Sequence, residues 1–165
     1  MFLRERIRPK GDRGNSLVEF AIVAPLVFLL LLGVVEFGIQ FNNYQSVRSG
    51  VRDATRFASV GRVPSTCSPA SADTGTNLAC YVRDRIGLGS STAVKVAWTA
   101  AAAGDATDKG SVKVCAERPA SSLTGLFTVF LNGHYLRSEV TMRIERTGTT
   151  FTNFADTAPS GSWTC

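Results

Sequence analysis

A long apolar stretch near the N-terminus dominates the pattern of hydrophobic and polar positions. Phe20–Val35 is a run of 16 residues without a charged or amide side chain, and the only additions up to Phe41 are Glu36 and Gln40. At about 1.5 Å per residue, Leu17–Phe41 as a helix exceeds the roughly 30 Å of a bilayer core. The pattern therefore predicts a transmembrane helix over about 17–41.

Beyond Phe41 the pattern becomes amphipathic, with apolar residues at steps of three and four. We predict one continuous helix over 15–60, capped at its start by Asn15 or Ser16 and ended by Gly61 and Pro64. Its second half should bury one face against the domain that follows. That face carries Tyr44, Val47, Val51, Ala54, Phe57 and Ala58.

The rest of the chain alternates between short helical and strand patterns. Leu78–Gly87 has the spacing of a short helix, and Ser121 or Ser122 could cap another that runs through Leu131 and ends at Asn132-Gly133. Strict alternation of apolar and polar residues predicts strands over 93–98, 112–117 and 135–146, the first two as an antiparallel hairpin. The predicted fold class is α+β, with the long helix packed on a small antiparallel sheet of about three strands.

These elements divide the chain into four segments. Residues 1–14 form a basic leader, 15–60 the long helix, 61–146 an α+β domain, and 147–165 a polar C-terminal tail. Of the net charge of +5, the leader supplies more than half, with five basic residues against two acidic ones. Positive charge before a membrane span favours a cytoplasmic N-terminus, so the domain should be extracytoplasmic. The basic charge predicts no nucleic-acid partner, because it does not lie on the folded domain.

The four cysteines all follow the predicted span. An even number in an extracytoplasmic domain predicts two disulfides, and three pairings are possible. Cys67 with Cys80 and Cys115 with Cys165 is the pairing we favour, since it closes a loop between two helices and ties the tail to a strand. In the alternative, Cys165 stays free or pairs between subunits.

The residues offer little for catalysis or for a cofactor. The only histidine is His134, in an Asn-Gly-His-Tyr turn where an exposed position is expected, and no serine lies in a G-x-S-x-G string. Asp105 and Asp108 lack the spacing and the terminal glutamate of an EF-hand loop. No metal-ligand cluster and no nucleotide-binding glycine string occurs. We therefore expect no enzyme activity, no metal and no cofactor.

The start of the apolar run has a chemistry of its own. Gly14 is small and flexible, so it can lie extended in a protease site at the membrane face. If the Gly14–Asn15 bond is cut, Asn15 becomes a free amino terminus and Glu19 the fifth residue of the mature chain. A carboxylate at that depth is costly unless it is paired, and the α-amino group of a neighbouring subunit, or of its own chain, is the partner at hand.

These residues carry a resemblance to a known family. A glycine followed five residues later by Glu19-Phe20, at the start of a long apolar helix, resembles the type IV prepilin signature. The fuller stretch over 13–61 resembles the TadE-like family of minor pilins or pseudopilins of the tight-adherence (Flp, type IVb-like) pilus system. Its specific points are Arg13-Gly14, Leu17–Phe20, Ala24-Pro25, Glu36-Phe37-Gly38 and Ala54–Ala58.

The resemblance implies a structural role in assembling an adhesive pilus. It implies cleavage after Gly14 by a prepilin peptidase, with the inner membrane, other pilin-like subunits and the pilus assembly platform as further partners. Four positions on the helix are possible contacts with other helices: Pro25, Gly33, Glu36 and Gly38. Pro25 frees a backbone carbonyl that a neighbour can satisfy, and the two glycines allow close approach. Glu36 is either such a contact or an interfacial residue at the outer membrane surface. The alternative function is an uncleaved bitopic protein whose exported domain binds a partner or surface ligand.

Overall fold

The computed structural model describes residues 12–63, 73–87, 91–100, 110–145 and 152–163. Its first element, α1, is a 48-residue helix over Asp12–Ser59 that is continuous through Pro25. The prediction of a cap at Asn15 or Ser16 is wrong, because both residues lie inside α1. Most of the predicted leader, together with Cys67 and Cys165, lies outside the described residues.

A second helix, α2, spans Thr74–Ile86 and begins four residues before the predicted Leu78. Asp73 caps it by accepting a hydrogen bond at Oδ2 from the Thr76 N–H at 3.3 Å. Gly87 closes it in a left-handed conformation with φ 66°, as its position after the last apolar residue predicts. The apolar pattern identified the helix but not its first turn, which holds only small and polar residues.

One antiparallel sheet of four strands forms the rest of the core, in the order β3-β2-β1-β4. The strands are β1 over Ala93–Thr99, β2 over Ser111–Pro119, β3 over Tyr135–Arg143 and β4 over Phe154–Ala155. The first two pair as the predicted hairpin, with Val96 opposite Val114. The α+β fold class is thus confirmed, with one strand more than expected.

The extra strand comes from the segment that we predicted to be a polar tail. Phe154 pairs with Val96, and the next residues are held by Asp156, whose carboxylate accepts from the Val94 N–H at 2.8 Å and pairs with Arg83. A strand of two residues is too short to show an alternating pattern. Its position depends on polar contacts with distant residues, which periodicity cannot reveal.

The connection between β2 and β3 contains only one turn of helix, α3, over Thr128–Leu131. The predicted caps, Ser121 and Ser122, are wrong: the residue before α3 is Phe127, and the Ser122 hydroxyl accepts from the Gly125 N–H at 3.0 Å instead. The chain turns at Asn132 and Gly133 as predicted, and His134 is exposed there.

Both long helices cover the same face of the sheet. The second half of α1 packs on β3 and β2, and α2 packs on β1 and β4. Four of the six predicted stripe residues are fully buried: Val47, Val51, Ala54 and Ala58. The two aromatic members, Tyr44 and Phe57, remain 37% and 39% exposed at its edges. The amphipathic half of α1 is therefore the central element of the core of the α+β domain, hereafter the head domain.

Candidate assembly and membrane-anchoring site

The first half of α1 extends beyond the head domain, and no other part of the described chain packs on most of its surface. Its apolar side chains are exposed on all sides, from Leu17 at 70% to Leu29 at 63% and Leu31 at 53%. Among the described residues, α1 is the one helix long and apolar enough to cross a membrane. Burial inside the chain does not account for this apolar surface, so it needs lipid or other helices around it.

The predicted cleavage site lies in the first turn of α1. Gly14 is exposed with nothing within 4 Å of where a Cβ would be, and Asn15 follows it in the helix. The first four N–H groups of a helix have no intrahelical partner, so this turn opens at little cost. A protease that needs an extended chain therefore has to unwind only the first turn of α1, which is its least stable part.

The predicted assembly residues are exposed on the next turn. Glu19 and Phe20 both face away from the chain, and Phe20 is 69% exposed. Asn15 and Glu19 lie four residues apart, on the same side of the helix. Within the described part of the chain no basic side chain pairs with Glu19.

The four predicted helix-contact positions differ in their surroundings. Pro25 is exposed, and Gly38 has open space where a Cβ would lie. Gly33 instead faces Phe127 of the head domain, 3.6 Å from where its Cβ would lie. Glu36 is buried, with 4% exposure. Pro25 and Gly38 are thus open to another molecule, whereas Gly33 and Glu36 contact the chain's own head domain.

Glu36 binds the loop that follows β2. Its carboxylate accepts hydrogen bonds from the Leu123 N–H at 2.8 Å, the Thr124 N–H at 3.4 Å and the Thr124 hydroxyl at 3.3 Å. One turn along α1, the Gln40 amide donates to the Ser121 carbonyl at 2.5 Å. Glu36, the acid that interrupts the apolar run, therefore holds the loop after β2 against α1. Hydrogen bonds to a charged acceptor are among the stronger ones.

Sequence reasoning missed the loop that Glu36 binds. We define the apolar loop as Leu123–Leu131, which includes α3. Its large side chains point away from the protein, with Leu123, Leu126, Val129 and Phe130 between 62% and 84% exposed. A signal was present, because no Asp, Glu, Lys or Arg occurs over 119–136. The sequence pattern predicts a turn and a short helix over this stretch and does not indicate which of its faces is buried.

Two cysteines lie within the described residues, Cys80 on α2 and Cys115 on β2, and both are disulfide-bonded. This agrees with oxidised cysteines in the head domain. The pairing of Cys67 with Cys80 and of Cys115 with Cys165 stays a prediction.

Together these features describe a small α+β head domain carried on one long helix, which is long and apolar enough to cross a membrane and whose first half is bare. Residues 14–56 match the family model described as TadE-like protein, which confirms the resemblance seen in the sequence. The matched segment is α1 from Gly14 almost to its end, and it stops before the sheet. The TadE-like family is a family of structural components of the Tad pilus. Neither the curated proteins nor the solved structures give a match.

Proposed function

We propose that this protein is a minor pilin or pseudopilin-like structural subunit in the assembly of an adhesive Tad (Flp, type IVb-like) pilus. The observation that carries the proposal is the TadE-like match over residues 14–56, on a helix whose apolar half is bare. Such a helix can lie in a membrane as a single anchor and can leave it only by exchanging lipid for the helices of other subunits.

In this proposal, a prepilin peptidase cuts the Gly14–Asn15 bond at the cytoplasmic face of the inner membrane. The new α-amino group of Asn15 pairs with Glu19 of a neighbouring subunit or of its own chain. A carboxylate in an apolar environment is costly without a partner, so the pair favours assembled helices with one axial offset. Packing of Phe20 and the following apolar side chains supplies contact area between the helices of neighbouring subunits, but it does not fix their axial offset.

The membrane topology follows from the same features. The N-terminus is cytoplasmic, the bare half of α1 spans the inner membrane, and the head domain lies outside the cytoplasm, where disulfides persist. The partners are the prepilin peptidase, other pilin-like subunits and the assembly platform. The role is structural, with neither catalysis nor a cofactor.

The variant Glu19→Ala tests the assembly step. Incorporation into purified pili, or cross-linking to other subunits, should fall at least tenfold, while the amount in the membrane fraction stays unchanged. Glu139→Ala is the control, because Glu139 is an exposed acid of β3 that pairs with Lys113. Normal incorporation of the Glu19→Ala protein would rule out the charge pair as the assembly contact.

A further inference from the structure

The apolar loop presents a hydrophobic surface that the head domain does not use. Val129 is 84% exposed and Phe130 72%, although both lie on an ordered turn of helix. Neither belongs to the buried core, so replacing them costs the fold little. Exposed side chains of this size and number on one short segment indicate a surface that is covered by something else.

The loop lies against α1 at the end of its bare half. Phe127 packs at Gly33, the Leu123 and Thr124 amides bind Glu36, and the Ser121 carbonyl binds Gln40. On the neighbouring surface of α1, Val34 and Phe37 remain 63% and 72% exposed. The apolar surface of the loop is therefore continuous with the apolar surface of the helix.

The length of α1 places this junction at the edge of a bilayer. A hydrocarbon core of about 30 Å takes up about 20 helical residues. Counted from Leu17 the core ends at about Glu36, and counted from Phe20 it ends at about Ile39. Both estimates of where the core ends lie between Gly33 and Gln40, the part of α1 that contacts the loop. With α1 across the membrane, the loop is at the boundary between headgroups and acyl chains.

We propose that the apolar loop inserts into the leaflet on the head-domain side of the membrane that α1 spans, as a second anchor beside the helix. This inference rests on membrane anchoring by α1, which is part of the proposed function. Because no Asp, Glu, Lys or Arg occurs over 119–136, insertion depends on apolar burial and needs no anionic lipid. Leu126, Val129 and Phe130 enter the acyl boundary, and the peptide groups of Leu123 and Thr124 stay on Glu36.

The arrangement also explains how an acid is tolerated at this depth. A carboxylate facing lipid is costly unless it is hydrogen-bonded and shielded. The loop donates hydrogen bonds to Glu36 and reduces its exposure to 4%. Docking of the loop and insertion of the loop thus support each other.

Photo-crosslinking of the full-length protein, reconstituted alone in vesicles of zwitterionic phospholipid, tests the proposal. A benzophenone amino acid replaces Phe130, and intact mass spectrometry identifies what it captures. Phe28, which is exposed in the bare half of α1, is the positive control. Thr141 is the negative control. It is exposed on β3 and lies toward the end of the head domain far from the bare half of α1, where the Glu145 N–H donates to the Ser59 carbonyl.

Lipid adducts at positions 130 and 28, with none at 141, are the expected result. Adducts at 28 but none at 130, or protein adducts alone at 130, would overturn the loop insertion and leave the α1 anchor standing. No lipid adduct at 28 would overturn the anchor itself and the inference with it.

Discussion

At the scale of single residues, Glu36 is the position whose meaning changes most between sequence and structure. The sequence shows that Glu36 interrupts the apolar run, which predicted either a contact with another helix or an interfacial position at the membrane surface. Its partners, Leu123 and Thr124, lie 87 and 88 positions further along the chain. Backbone amides carry no sequence signal, so periodicity and residue type could not identify them. Gly14 and Glu19 differ in this respect, because their spacing alone carries the prepilin resemblance.

Removing the Glu36 carboxylate should loosen the apolar loop. In Glu36→Ala the Leu123 and Thr124 amides lose their acceptor, so their hydrogen–deuterium exchange should become faster, on the order of tenfold. Glu36→Gln keeps one oxygen acceptor, so the exchange rates of these amides should lie between those of the natural chain and those of Glu36→Ala. Glu139→Gln, on an exposed acid of β3, is the control and should leave exchange in the loop unchanged. Unchanged protection of Leu123 and Thr124 in Glu36→Ala would contradict the role given to this side chain.

At the scale of elements, the parts with a strong period were predictable and the parts fixed by distant contacts were not. The stripe from Tyr44 to Ala58 predicted the buried face of α1, because only one side of a helix can meet a sheet; four of its six members are buried. The alternation over 135–146 likewise predicted β3, which ends at Arg143. The start of α1, the first turn of α2 and the two residues of β4 were missed. The polar cap at Asp73 decides the start of α2, and contacts with distant residues decide the position of β4.

The packing of α1 on α2 gives a prediction at this scale. A Cβ at Gly50 would lie 2.6 Å from Cγ1 of Ile86, so Gly50→Ala forces the two helices apart. Overpacking of this kind typically costs about 1–3 kcal/mol of unfolding free energy. The matched control is Gly38→Ala in the same helix, where the site is open. That change should be neutral or should stabilise by up to about 1 kcal/mol through helix propensity.

Chemical denaturation in detergent micelles, followed through the tertiary signal of the head domain, measures both variants. We expect Gly50→Ala to unfold at a lower denaturant concentration than the natural chain, and Gly38→Ala to unfold at an equal or higher one. Equal stability of Gly50→Ala and Gly38→Ala would show that the contact with Ile86 does not constrain the helices.

At the scale of the whole molecule, one helix joins two environments. The half before Gly33 is apolar nearly all round, with Glu19 as its exposed acid, whereas the half after Gln40 has one face buried in the head domain. The apolar loop lies where these halves meet. The sequence predicted the helix, three of the strands and the hairpin of β1 with β2. It did not predict this junction, because the junction forms between segments far apart in the chain. The TadE-like match over 14–56 covers both halves of the helix and not the sheet.

The N-terminus of the protein, as isolated from the membrane of its own host, decides whether the chain is processed after Gly14. Intact mass spectrometry with N-terminal sequencing should find a chain that starts at Asn15, lighter by residues 1–14, and Gly14→Ala should keep its full length. A natural chain that starts at Met1 while the peptidase is active would contradict processing. It would favour the alternative, an uncleaved bitopic protein whose exported head domain binds a partner or surface ligand.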